Sequence, residues 1–300
     1  MKRNIQDVLT AVTLFAASVN GMAEDRPQNG GDGATRWTQT SQWPLFTNDR
    51  TDDVPLAGGL RQEPGFCGIF HDWGFIGDSL SSGEFECADS TGKKVYYDAY
   101  EYSWGQRMCA YSGTRGDNYS QGGEMAKRWV ERFWDNPKNK NGDIDAKRSP
   151  KQAYIIALGA NDSKKIKAGD ARKDINLEDY TKNADSFAGW YGGIIQRVKT
   201  IQPDAVFFVV TFPRGRDKEE YNAAIRAMAS IFTNTYLVEL DKYAPDYSDR
   251  AFKSTFYLQG HLNPAGYEFT AWMMLNYIDW IIRHNMSDFS KVGLMGTPYR

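Results

Sequence analysis

The chain has few of the residues that build metal and redox centres. Cys67, Cys87 and Cys109 are its cysteines, and His71, His261 and His284 its histidines. No Cys-x-x-Cys pair and no His-Glu-x-x-His stretch occurs, so no metal site, redox dithiol or cofactor is expected. An odd number of thiols allows at most one internal disulfide. Gly92-Lys93-Lys94 lacks the spacing and the hydroxyl of a phosphate-binding loop. Neither sign of charge is in excess: 36 basic against 38 acidic residues give a net charge of −2, which offers no field for nucleic acid, and none is expected as a partner. Beyond the N-terminus no apolar run approaches a membrane span, so none is expected in the mature chain.

What is present is ordinary for a globular chain. With 41% hydrophobic and 25% charged residues over 300 positions, there is length enough for a large buried core. Lys2 and Arg3, the apolar run from Val8 to Val19, and Gly21-Met22-Ala23 read as a secretory signal, residues 1–23. A secreted or periplasmic protein is therefore expected. Residues 24–65, rich in Gly, Asp, Asn, Thr and Gln, read as an irregular arm. A single domain is expected over 66–286, followed by a tail, 287–300.

Within that domain, strands alternate with helices. Apolar runs at Trp73–Gly77, Ala153–Leu158, Ala205–Thr211 and Tyr236–Leu240 read as buried parallel strands, and Asn118–Ser120 as a short strand end. Helical spacing runs over Tyr102–Tyr111, Glu124–Trp134, Tyr180–Gln202, Lys218–Phe232 and Pro264–His284. Gly83 to Tyr100 reads as irregular. The alternation argues for a parallel sheet covered on both faces, an α/β class.

One stretch concentrates the chemistry. Trp73-Gly74-Phe75-Ile76-Gly77 runs into Asp78-Ser79-Leu80, which places a serine just past the carboxyl end of a buried strand. Ligands of open parallel sheets sit there. An acyl-transfer nucleophile needs backbone N–H groups nearby for its oxyanion, although a serine that merely caps a helix gives the same local pattern. The elbow Gly-x-Ser-x-Gly is not met, because Ser81 holds its fifth position. Ser120 is a rival without a leading glycine. Of the histidines, His261 lies in a loop just before the last helix, where a general base can stand over strand ends. His284 suits the last turn of that helix and His71 the rim. Asn118 and Asn161 both sit in glycosylation sequons.

Gly77-Asp78-Ser79-Leu80, Asn118 to Gly123, Gly159-Ala160-Asn161-Asp162 and His261 together resemble, in order, the four blocks of the SGNH (GDSL) esterases and lipases. The resemblance covers Phe66 to Asn285. It implies a flavodoxin-like three-layer α/β/α sandwich with a five-stranded parallel sheet. It also implies Ser79 as nucleophile and His261 as base, with the oxyanion held by Gly123, Asn161 and the Ser79 N–H. The expected activity is hydrolysis of carboxylic esters through an acyl-enzyme, on a small-molecule or glycan ester such as an acetylated carbohydrate. A non-catalytic carbohydrate- or ligand-binding module on this fold is the alternative, as is a lipase, phospholipase or thioesterase. The family usually carries Asp three residues before its histidine, where this chain has Leu258. Either a backbone carbonyl orients His261, giving a Ser-His dyad, or a carboxylate arrives from elsewhere. Glu84, Glu86 and Asp72 are the acidic residues near Ser79 in the chain.

Overall fold

Inward residues of the central strands alternate between two cores, one on each face of a single sheet. The computed structural model describes residues 54–56, 59–213 and 218–296. The expected leader, most of the expected arm and the end of the tail lie outside them. Strand β1 (Asp72–Gly77) leads into a one-turn helix α1 (Ser79–Ser82), then a hairpin of β2 (Glu84–Ala88) and β3 (Lys94–Asp98). Helix α2 (Trp104–Ser112), β4 (Arg115–Ser120), helix α3 (Ala126–Trp129) and β5 (Ala153–Ala157) follow. Helix α4 (Phe187–Ile201), β6 (Val206–Val210), helix α5 (Glu219–Ile231) and β7 (Thr235–Val238) continue the alternation. A short ladder of β8 (Tyr257–Leu258) and β9 (His261–Leu262) precedes the long helix α6 (Pro264–His284).

The main sheet has five strands in the order β4-β1-β5-β6-β7, and every pairing is parallel. Ranked along the chain, its strands run 2-1-3-4-5, the flavodoxin-like winding that was expected. Trp73, Phe75, Ile155, Phe208 and Val210 face a core shared with Met108 of α2 and Met274 and Ile278 of α6. Ile76, Tyr154, Ile156, Phe207 and Val209 face the other, shared with Trp129 of α3, Tyr191 of α4 and Met228 of α5. This period-two partition makes the three layers, and each fully buried large side chain contributes about 1.5–3 kcal/mol. From the tail, Phe289, Val292 and Met295 also enter the first core. All three thiols are free.

Two sequence expectations need correction. Gly83 to Tyr100 is not irregular: α1 ends at Gly83, whose left-handed φ of 75° reverses the chain into the antiparallel β2–β3 hairpin. The helix expected from Tyr180 begins only at Phe187, because Ser186 caps it by accepting from Gly189 N at 3.1 Å. Helix α6 spans the expected residues, with Asn263 accepting from Gly266 N and Pro264 in the first turn.

The winding reverses between β1 and β5, so the crevice for a ligand opens beyond their carboxyl ends. There the loops after β1, β4 and β5 meet the β9 loop. Tyr267 on α6 fixes that meeting by donating to the Glu84 carbonyl at 2.7 Å, while Leu262 is fully buried beside it.

Candidate active site

At the strand ends an open cleft of about 460 Å³ is lined by Ser79, Gly123, Asn161 and His261, together with Asp78, Glu84, Tyr96, Lys140 and Lys164. The four residues singled out in the sequence thus come from four separate loops to one surface. Asp78 caps the turn that carries Ser79 by accepting from Leu80 N at 3.1 Å. Gly123 is exposed with φ 72°, in a loop whose preceding residue, Gly122, donates its N–H to Asp98 Oδ1 at 3.0 Å. The same Asp98 oxygen accepts from Ser82 Oγ at 2.6 Å, so one carboxylate ties the Gly123 loop to the Ser79 turn. Asn161 donates from Nδ2 to the Glu124 carbonyl at 3.0 Å, which sets its amide with the nitrogen toward that loop.

The other sequence candidates do not meet here. Ser120 is fully buried and its hydroxyl donates to the Phe75 carbonyl at 3.2 Å, a structural bond. His71 is exposed at the far end of β1, and His284 stacks on Trp280. Asp72 is also at the far end, paired with Lys151 at 3.2 Å. Asn118 is buried and donates to Ser81 O at 2.9 Å, so its sequon offers no accessible amide.

His261 stands between two carboxylates that sequence reasoning did not assign. Its Nδ1 is 3.7 Å from Glu86 Oε2 and its Nε2 is 3.9 Å from Glu84 Oε2, both beyond hydrogen-bond length. Glu84 and Glu86 lie two apart on β2, so the pleat turns both to one face. Glu86 Oε2 accepts from Gly260 N at 3.0 Å, and Lys94 salt-bridges its other oxygen. Lys94's hydrogen bond, outweighing burial, holds the Glu86 carboxyl below the usual carboxylate range, so it is ionised. Burial first, and repulsion by Asp98 second, push Glu84 up to about 7. Two neighbouring glutamates therefore carry different charge near neutrality. Leu258 is 48% exposed and pairs with His261 only through the backbone of the β8–β9 ladder. The carboxylate nearest His261 Nδ1 is that of Glu86, on β2 rather than three residues before the histidine.

Beneath Asn161 and Gly123 lie two more buried acids. Burial pushes Asp162 up to about 7, against the N–H of Ala126 that donates to it at 2.9 Å. Burial also raises Glu124, which Arg128 and Arg132 approach at 3.5 and 3.7 Å. Among the described residues no group of three or more His, Cys, Asp or Glu is arranged to hold a metal ion. Among the described residues no helix is long and apolar enough to cross a membrane.

Sheet order and site define the class: a doubly wound α/β protein with a serine and a histidine over its switch point. The model of the GDSL-like Lipase/Acylhydrolase family matches residues 75–269, and the chain belongs to that family. Membership supports an esterase. Among solved structures, a family two carbohydrate esterase from Clostridium thermocellum in complex with cellohexaose is 16% identical, with a TM-score of 0.47, covering 73% of this chain and 65% of that one. An acetyl xylan esterase from the rumen bacterium Butyrivibrio proteoclasticus is 15% identical, TM-score 0.48, with the same coverages of 73% and 65%. A protein from Lactobacillus plantarum is 16% identical, TM-score 0.49, covering 70% of this chain and 97% of that one. The chain spans just under two thirds of the length of the two esterases. A search of curated proteins gave no match.

Proposed function

We propose that this protein is a serine hydrolase of carboxylic esters. What carries the reading is the convergence of Ser79, Gly123, Asn161 and His261, from four loops, on one cleft. Ser79 Oγ attacks the ester carbonyl while His261 Nε2 takes its proton. The oxyanion receives N–H groups from Ser79, Gly123 and the Asn161 amide. His261 then returns the proton to the leaving alcohol, and water cleaves the acyl-enzyme by the same route. Glu86, ionised and held by Gly260 and Lys94, stabilises the imidazolium from the Nδ1 side. Glu84, neutral below about pH 7, leaves Nε2 to the serine there.

The alcohol half of the substrate is a sugar. The cleft is wide and mainly polar-sided, and Tyr96, 48% exposed on its wall, offers a ring face to a pyranose. The test is Ser79→Ala, checked for folding and assayed on acylated xylan and on aryl esters, with fluorophosphonate labelling in parallel. A loss of roughly 10³-fold or more in kcat and of all labelling is expected. Activity within a few-fold of the parent refutes the assignment. Absence of both hydrolysis and labelling in the parent itself favours a binding module.

A further inference from the structure

A second, smaller cavity of about 70 Å³ adjoins the cleft. The two share Asp78, Leu80 and Ala160, so these three residues form the partition between them. Asp78 and Leu80 flank Ser79, Ala160 precedes Asn161, and Leu262 follows His261. The chamber is thus walled by immediate neighbours of Ser79, Asn161 and His261. Its far side is apolar core, including Val210 at the end of β6 and Met274 of α6.

Several polar groups on its wall are already engaged. Thr211 Oγ1 donates to Asp241 Oδ1 at 2.6 Å, Thr270 Oγ1 to the Gly266 carbonyl at 2.8 Å, and Asp78 Oδ1 accepts from Leu80 N. Water needs two to four polar partners to settle in a cavity, and here it finds few. An apolar void left empty forfeits dispersion contacts on every wall. Both facts favour an apolar occupant that enters from the cleft.

We propose that this chamber is the acyl pocket, taking the alkyl chain of a short-chain ester past Leu80; the proposal rests on the ester-hydrolase reading above. In the tetrahedral intermediate on Ser79, the oxyanion faces the N–H groups and the alcohol faces His261 and the open cleft. The remaining substituent, the acyl chain, points to the partition. An apolar cavity of about 150 Å³ admits the six carbons of benzene, so this one takes roughly three carbons beyond the carbonyl. The preferred acyl group is therefore butyryl, with acetyl underfilling the chamber and octanoyl overfilling it.

The experiment is kcat/KM of the full chain on p-nitrophenyl acetate, propionate, butyrate, hexanoate and octanoate, each normalised to its alkaline hydrolysis rate. Burial of each methylene is worth about fourfold, so butyrate should exceed acetate by roughly 15-fold and octanoate should fall again. Val210→Phe and the milder Val210→Ile fill the far wall and should lower the butyrate-to-acetate ratio stepwise. Leu80→Ala widens the partition and should move the optimum to hexanoate. If the parent prefers acetate, or its ratio stays below about twofold while hydrolysis still depends on Ser79, the acyl pocket is refuted and the esterase stands. If no ester is hydrolysed at all, the esterase reading falls and the acyl pocket with it. The parent's own profile decides even where a filled variant does not fold.

Discussion

Glu86→Gln removes one charge from β2 and keeps the shape that Gly260 N and Lys94 surround. The contact at stake is the 3.7 Å between Glu86 Oε2 and His261 Nδ1. At that separation, and an effective dielectric constant of about 20, an ionised carboxylate favours an imidazolium by about 4.5 kcal/mol. The Lys94 ammonium on the same carboxylate opposes the imidazolium and takes back part of this. A net of about 2–3 kcal/mol corresponds to roughly 30- to 150-fold in kcat. That is short of the roughly 10⁴-fold attached to a hydrogen-bonded triad aspartate, because 3.7 Å is not a hydrogen bond and the ring is less firmly held. The assay is steady-state hydrolysis of an aryl ester from pH 5 to 9, with folding checked by circular dichroism. The loss should fall on kcat, with KM nearly unchanged, and the acid limb of the profile should move to lower pH. A merely structural role would instead lower the melting temperature and leave that limb in place. A loss below threefold would refute the reasoning and return the orienting role to a backbone carbonyl.

Asn161→Ala should lower kcat by roughly 10²–10³-fold with little effect on KM, since its amide acts on developing charge; a change confined to KM would mark a ground-state contact instead. Thermal stability should fall as pH rises from about 5 to 8. Burial lifts Glu84 from 4.5 to about 7 and Asp162 from 3.8 to about 7, so the folded chain holds protons in that window that the unfolded chain has lost. Glu86 is shifted the other way, and its contribution fades only below its ordinary 4.5, outside the window. Taken in full, the two shifts amount to on the order of 5 kcal/mol between pH 5 and 8, less whatever solvent screening removes, so a fall of several degrees in melting temperature is expected by scanning calorimetry, and a flat or rising curve would contradict it.

How far the sequence could be read turns on where the core dictates the pattern. Trp73–Gly77, Ala153–Leu158 and Ala205–Thr211 were legible as strands because both of their faces are buried, which demands near-continuous apolar residues. Ser79 and Asn161 stood out because the ends of β1 and β5 fix where their loops start, whereas His261 stood out from its loop before the last helix and Gly123 only through the resemblance to the family's blocks. The β2–β3 hairpin was not. Its inward positions are Glu84 and Glu86, where a strand would ordinarily carry apolar side chains, and its outer strand exposes Tyr96 and Tyr97 at 48% and 61%. Alternation was present but with inverted polarity, so a reading keyed to hydrophobic period passes over it. What holds the hairpin in place is tertiary, Asp98 between Gly122 and Ser82 and Tyr267 on the Glu84 carbonyl, with Lys94 bridging to Glu86 across its own two strands. The same inversion suits the proposed chemistry, in which a carboxylate acts on His261 only if it is drawn into the site and kept ionised there. Local rules fail most where charge must be buried for use, and this hairpin is such a place. Two glutamates at i and i+2, beside a chain reversal at glycine and a few residues past the candidate nucleophile, were the signal available in the sequence.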